Sequence, residues 1–310
     1  MDKRSKRYFM KKEIAELKKK FGSKIIFNEK LSKYSWFNLG GPAEIFFRPD
    51  DKGELSFFLK EISKHSPRIN IVGAGSNTLI RDGGVKGVTI KLSSKFSYVK
   101  YLNEDIIEAG GSTLDKKASD FATENSLGGL EFLSCIPGSI GGAVRMNSGC
   151  YGQEISKVLM SINTIDFNGN EKEIKNKDLK FSYRECDLPD NIIITSAKFK
   201  GEKMSKEIIK NKQMRLIDEK KKSQPSKIKT CGSTFKNTLD QKAWTLIKDS
   251  ECENMNVGHA RVSKKHCNFF INDGRATSLE IEELIDKVRN QVLKKTGIRL
   301  DLEIKVIGTN

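Results

Sequence analysis

Between Trp36 and about Lys200, apolar residues come in short runs cut by glycine: AEIFFRP, INIVGAG, GVTIKLS, DIIEAGG and NIIITSAKF. Runs of this length, rich in β-branched and aromatic residues, predict strands joined by tight turns. Two helical stretches interrupt the series, at about 51–64 and 113–126, with Ser112 and Thr113 as the expected N-caps of the second. Residues 1–22 read as a charged, peripheral helix. Residues 205–222 set Ile208, Ile209, Leu216 and Ile217 on one side of an amphipathic helix that Gln224-Pro225 stops. Further on, Thr277-Ser278-Leu279-Glu280 is a capping box. The helix it opens is expected to bury Ile281, Leu284, Ile285, Val288 and Val292, and Gly297 ends it. The closing RLDLEIKVIG alternates as a strand, with Leu300, Leu302, Ile304 and Val306 on one face and Asp301, Glu303 and Lys305 on the other. Glu303 is therefore either solvated or lines a cleft, and spacing alone does not separate it from Asp301 and Lys305.

A chain of 310 residues suits one large domain or two to three smaller ones. The hydrophilic stretch before Cys231-Gly232 is the expected boundary, which gives an N-terminal helix at 1–22, a strand-rich part at 34–200 and a C-terminal domain at 205–310. Hydrophobic residues at 37%, with 25 glycines besides, sit near the globular range and argue against disorder. No run approaches the roughly 18 apolar residues of a membrane span, and the N-terminus has no apolar signal region. A soluble cytosolic protein without a membrane partner is expected.

The net charge of +16 raises the question of nucleic acid. Its distribution argues against that partner, because residues 1–20 and 205–229 each carry nine basic and three acidic groups. Only 12 of the 56 basic residues are Arg, the side chain suited to bidentate phosphate and base contacts. A solvated lysine-rich face accounts for these segments, and a basic nucleic-acid-binding protein stays as an alternative. The six cysteines come no closer than 15 residues apart, which gives neither a zinc pattern nor a redox dithiol. Of the three histidines, His266 adjoins Cys267, and neighbouring residues do not easily face one metal, so no metal site is expected.

Four segments carry candidate chemistry. INIVGAGSNTLIRDGG offers a strand and a tight turn whose backbone N–H groups suit a phosphate. The dinucleotide fingerprint needs a third glycine where Thr78 stands, then a helix, so a Rossmann domain is rejected. The glycine-rich PGSIGGAVRMNSGCYG lets backbone approach a ligand closely, or is a string of tight turns. Together the two glycine segments suggest one extended, phosphate-bearing cofactor. In CGSTFKN, Ser233 is either reactive or a turn hydroxyl; the nucleophile elbow is absent. In FSYREC, Arg184 is either surface or a carboxylate clamp.

The order GAGSN, PGSIGGAVRMNSGCYG, FSYR, SQP, CGSTFKN, NDG and a terminal LEIKVIG closely resembles the UDP-N-acetylenolpyruvoylglucosamine reductases, from about Tyr34 to Gly308. The resemblance implies an α+β fold: a two-subdomain FAD-binding module of the vanillyl-alcohol-oxidase/PCMH type at 34–200, then an α+β substrate-binding domain. The 49 positions from Arg184 to Ser233 resemble the shorter subtype, which lacks the inserted loop that caps substrate. NSGCYG stands where NAGAYG is usual, and Thr238 where proline is common; Cys150 is therefore expected to alter the flavin surroundings slightly.

By that resemblance the chain is an NADPH-dependent flavoenzyme, reducing the enolpyruvyl ether of UDP-N-acetylglucosamine to UDP-N-acetylmuramate for peptidoglycan. Another FAD-dependent oxidoreductase of the same fold is the alternative. Arg184 is implied to hold and polarise the substrate carboxylate, Ser233 to deliver a proton, and Glu303 to support enol formation, for which donation would need a raised pKa. FAD is implied at Gly73, Gly75, Ser76, Asn77, Gly110, Gly138, Ser139, Gly141, Gly142, Asn147 and Tyr151. Lys236 and Asn237 are implied to reach the substrate. Lys220–Lys222 either steer anions or form a solvated face. A monomer is expected.

Overall fold

A computed structural model describes residues 3–310, with side chains from Lys12 onward. Helix and strand are mixed throughout, as an α+β fold requires. Two compact units result: residues up to 28, 45–74 and 87–217 form the first, and 29–44, 75–86 and 218–310 the second.

The first unit holds a five-stranded antiparallel sheet in the order Glu171–Lys175, Leu159–Asp166, Ile192–Lys200, Ile106–Gly110 and Val99–Asn103. Residues 69–71 and 88–90 pair in parallel in a second sheet, Ile69 opposite Val88. The helices of this unit are α1 (Lys3–Phe21), α2 (Lys52–Ser63), α3 (Asp115–Glu124), α4 (Ile140–Arg145) and most of α5 (Lys206–Ser223). The expected helix at 1–22 is thus α1, with its first two residues outside the described ones.

Three expectations need correction here. The α1 helix is not peripheral, because Ile14, Leu17 and Phe21 are buried in the core with Phe47 and Phe58. Apolar residues three and four apart fill one helical face even when composition is dominated by lysine. In α5, Ile209 and Gln213 are buried while Ile208 is 56% exposed. Adjacent helical positions point about 100° apart, so Ile208 and Ile209 do not share a buried face. Finally, α3 is not capped by Ser112 or Thr113: its N-cap is Leu114, without a side-chain bond. The two hydroxyls donate instead to the carbonyls of Ser93 and Tyr98, at 2.7 and 2.8 Å.

In the second unit, α6 (Ala243–Asp249) and α7 (Ser278–Thr296) pack over a three-stranded antiparallel sheet of Asn256–Val257, Ala260–Val262 and Phe270–Asn272. The capping box at Thr277 and Glu280 forms reciprocally, and Gly297 closes α7 in the left-handed region at φ 73°. Its five expected core residues are all buried. The terminal alternation also holds. Leu300 and Ile304 are buried and Asp301 and Lys305 exposed, although regular pairing is confined to Lys305–Ile307, parallel to Thr78–Ile80. The turn that follows Thr78–Ile80 is anchored on α7, where Asp82 Oδ2 accepts from the N–H and hydroxyl of Ser278 at 2.6 and 2.9 Å.

One buried acid lies under the glycine-rich segment of the first unit. Asp115 is fully buried, and neither carboxyl oxygen has a hydrogen-bond partner among the described residues. Burial alone raises its pKa well above the ordinary carboxyl value, so the folded chain holds a proton there that the unfolded chain releases. A raised carboxyl pKa lowers stability as pH climbs, by up to about 1.4 kcal/mol per pH unit from the ordinary carboxyl range to the folded pKa. Asp115→Asn should remove that slope. Urea unfolding from pH 4 upward should show wild type and variant alike in acid, with the variant increasingly more stable towards neutrality; a pH-independent difference would contradict this.

Candidate functional site

In the first unit the two glycine segments meet. A Cβ on Gly73 would stand 2.9 Å from Ser139 Oγ, so any side chain there would oblige the serine hydroxyl to shift, which shows how close the turn after Ile69–Ile71 lies to the start of α4. Residues 138–141 run against 111–115. Ile140 N–H donates to Thr113 O at 2.9 Å, Gly141 N–H to Gly111 O at 3.0 Å, and Asp115 N–H to Gly138 O at 3.1 Å. Gly110 is equally constrained, since a Cβ there would lie 2.0 Å from Phe96 O. The Gly110 and Gly141 amides are therefore spent inside the fold, and these two glycines serve close backbone approach. Gly142 differs, because a Cβ there would have only Ser139 Oγ within 4 Å, at 3.8 Å. The rim formed by Gly73, Ser139 and Gly142 is a cradle that side chains would fill.

Lys91, which the sequence did not single out, donates from its ammonium to the Gly73 carbonyl. Burial and the charge of Arg48 push it down to about 8, leaving it mostly cationic at neutral pH. Tyr151 and Gly152 form a two-residue turn between Cys150 and Gln153 with φ 52° and 80°, the signs of a type I′ hairpin. Tyr151 is accordingly exposed. Cys150 Sγ donates to Phe132 O at 3.3 Å.

Arg184 sits at the tip of another two-residue hairpin, Phe181–Ser182 against Glu185–Cys186. Its φ of 59° is left-handed, a conformation that costs a side-chain-bearing residue about 1 kcal/mol or more. The guanidinium lies 5.0 Å from the Tyr183 ring centroid. Asn147 is 1% exposed, its Nδ2 donating to Ser182 O and its Oδ1 accepting from Ser156 N–H, both at 3.0 Å.

The second unit brings three distant segments together. Residues 233–236 are bonded along both edges. On one side Ser233 bridges Phe269, Thr234 N–H donates to Asn268 O at 2.8 Å, and the Asn268 amide bonds both backbone groups of Phe235 at 2.9 Å. On the other, Glu303 N–H donates to Thr234 O at 2.9 Å and Lys236 N–H to Asp301 O at 2.8 Å. Ser233 and Glu303 therefore belong to directly bonded neighbours. Asn77 joins them, its Nδ2 donating to Glu303 O at 3.0 Å while its own carbonyl accepts from Lys305 N–H at 2.9 Å. Gly75, beside Ser76, adopts φ 70°, and a Cβ on it would stand 1.8 Å from Tyr34 O. The buried Cys231 thiol, raised to about 12 by burial, donates to Thr78 O at 3.3 Å.

Ser233 and Glu303 are half-buried, which settles the cleft-or-solvent alternative against full solvation of Glu303. Asn237 is exposed, and its Oδ1 accepts from Ala243 N–H at 2.9 Å, which orders the start of α6. Asn268 and Lys91 lie outside the motifs, and their contacts arise from segments remote in sequence. Lys220, Lys221 and Lys222 close α5.

Comparison with known proteins follows this geometry. The model for the C-terminal domain of UDP-N-acetylenolpyruvoylglucosamine reductase matches residues 224–307, and an FAD-binding domain matches residues 43–175. The UDP-N-acetylenolpyruvoylglucosamine reductase of Pelagibacter ubique is 48% identical over 95% of this chain and 98% of its own length. That of Orientia tsutsugamushi strain Ikeda is 42% identical over 91% and 93%. The crystal structure of the Thermus caldophilus reductase superposes with a TM-score of 0.80 at 29% identity, covering 92% of this chain and 98% of that one.

The Gly75 contact yields a stability prediction. A Cβ there meets backbone, which has no flexible end to yield, and left-handed φ adds strain. Gly75→Ala should lower the unfolding free energy by about 2 kcal/mol or more in a urea titration. A loss under about 0.5 kcal/mol would mean that the Tyr34 carbonyl moves aside freely.

Proposed function

The chain belongs to the UDP-N-acetylenolpyruvoylglucosamine reductase family, and from that membership we propose how its residues divide the work. The reaction reduces the enolpyruvyl ether of UDP-N-acetylglucosamine to the lactyl ether of UDP-N-acetylmuramate, a peptidoglycan precursor. Bound FAD, reduced by NADPH, supplies the hydride that reaches the vinyl carbon C3.

The residues fit that cofactor. The cradle of Gly73, Ser139 and Gly142 admits a group that any side chain would exclude, and Lys91 supplies a cation beside it. Gly138 and Tyr151 in the first unit, and Gly75, Ser76 and Asn77 in the second, are the remaining positions we assign to FAD. Gly110 and Gly141 support them through backbone packing.

As hydride adds at C3, negative charge grows at C2 and on the adjacent carboxylate. Arg184 binds that carboxylate through its planar fork, and the interaction strengthens as charge develops. Ser233 Oγ gives its proton to C2. A hydroxyl is a weak acid, but a carbanion is strong enough a base to take it. Glu303 works beside Ser233, holding the proton network that supports the enol. Lys236 and Asn237 engage the substrate's nucleotide-sugar end. The observation that carries this reading is the pair of bonds from Glu303, one to Thr234 O and one from Asn77, which sets the acid, the serine and the GAGSN loop on neighbouring segments.

Among the described residues no helix is long and apolar enough to cross a membrane. We further infer a monomeric enzyme of the cytoplasm, where its six thiols, five of them buried, stay reduced.

Two experiments test the division of labour. Ser233→Ala should leave flavin reduction by NADPH intact, while reoxidation by the enolpyruvyl substrate slows by about 10²–10⁴-fold, the usual contribution of general acid catalysis. Stopped-flow flavin absorbance reads both halves, and reoxidation at the wild-type rate would remove Ser233 from the chemistry. Gly142→Ala should fold as well as wild type, since the methyl meets open space and helix propensity improves. Its FAD dissociation constant should nevertheless rise about tenfold or more. An unchanged constant would show that the cofactor does not approach Gly142.

A further inference from the structure

Asn147 closes α4 in a Schellman arrangement. Ser148 N–H donates to Ala143 O at 2.8 Å and Asn147 N–H to Val144 O at 3.1 Å, with Asn147 itself left-handed at φ 40°. Glycine is the ordinary residue for that position, and asparagine is strained there by about 1 kcal/mol relative to it. What the strain supports is visible in the side chain. Both ends of the amide are bonded, Nδ2 to Ser182 O and Oδ1 to Ser156 N–H, and the residue is 1% exposed. Ser182 lies two residues before Arg184, in a hairpin held by only two residue pairs. On the hairpin's far side, Arg145, the last residue of α4, donates to Leu188 O, Pro189 O and Ile192 O at 2.8, 2.9 and 3.1 Å. The end of α4 thus grips the chain both before and after Arg184.

We propose that Asn147 is a positioning residue for Arg184: its amide pins the hairpin by Ser182 so that the guanidinium is held where the substrate carboxylate binds, and it touches neither flavin nor substrate. This rests on the reading of Arg184 as the carboxylate clamp. It replaces the sequence-based expectation that Asn147 contacts FAD, because an amide so buried and bonded at both ends offers nothing to a ligand. The short hairpin explains the need, since two pairs and a strained tip do not by themselves fix a long side chain.

Asn147→Gly is the informative variant, because glycine suits the left-handed position and the helix end should form as before. The FAD dissociation constant and the rate of flavin reduction by NADPH should stay within about twofold of wild type. Flavin reoxidation by the enolpyruvyl substrate should slow about tenfold or more, the scale expected when a catalytic group is misplaced by about an ångström. The double variant with Arg184→Lys should be little slower than Arg184→Lys alone, a coupling that general destabilisation would not produce. Additive losses, unchanged reoxidation, or weakened FAD binding with reoxidation intact would each overturn the proposal. If Arg184→Lys by itself reoxidises at the wild-type rate, the failure lies in the reading of Arg184 instead. Wild-type-like coupling in Asn147→Asp would also count against it, since aspartate keeps the size and the acceptor but loses the donor to Ser182.

Discussion

The backbone of residues 233–236 is hydrogen-bonded along both edges, and most of the second unit's chemistry depends on that double attachment. A buried backbone group without a partner costs about 1–3 kcal/mol, so a strand satisfied on both sides does not slip. A one-residue shift would exchange its faces and bring Phe235 out of a core where it packs edge-on to Phe270 at 5.8 Å. The register that buries Phe235 therefore also sets Ser233 beside Phe269 and Thr234 opposite Glu303. Packing energy fixes the placement of Ser233 and of the Glu303 segment together. Asn268 completes the arrangement by closing both backbone groups of Phe235 with one side-chain amide.

The first unit solves a different problem, that of presenting side chains at sharp turns. Arg184, Asn147 and Tyr151 all occupy the left-handed region that glycine would take more cheaply. Each keeps a side chain for a reason that its surroundings disclose. Arg184 ends a hairpin, Asn147 bonds the strand that leads to it, and Tyr151 is turned outward on a type I′ loop. At Gly110, by contrast, a Cβ would run into Phe96 O, and the fold leaves glycine no alternative. The distribution of glycine and non-glycine residues across these turns separates positions that approach backbone from positions that act through a side chain.

Local signals were legible in the sequence, and non-local ones were not. The capping box, the α7 core residues, Gly297 and the alternation around Glu303 depend on neighbours within a few positions, and all appear as expected. The depth of α1, the outward turn of Ile208 and the uncapped start of α3 depend on what packs from elsewhere. Ser112 and Thr113 show how the misreading arises, because a good capping hydroxyl is equally good at bonding a remote carbonyl. The ordered motifs pointed to the family and to Arg184, Ser233 and Glu303. They did not point to Asn268 or Lys91, whose partners lie on segments remote in sequence, and they included Asn147 and Asn77 without showing that each bonds the backbone at or near Arg184 and Glu303.

The titratable groups around the glycine cradle make one electrostatic arrangement. Asp115 lies beneath Gly138, its carboxyl oxygen 2.6 Å from where a Cβ would be, and burial raises its pKa well above the ordinary carboxyl value. An ionised carboxylate there would oppose any anion at the cradle with little water to screen it. Lys91 is the converse case, since burial and Arg48 lower its pKa only to about 8, which leaves the ammonium charged at neutral pH. The same burial that disfavours charge on the acid thus leaves the base with a pKa still above neutrality. Lys91 and Arg48 repel one another, and that repulsion adds to the lowering that burial causes. Desolvation thus bears on an acid and a base beside the same glycine segments, and neither group carries a recognisable motif.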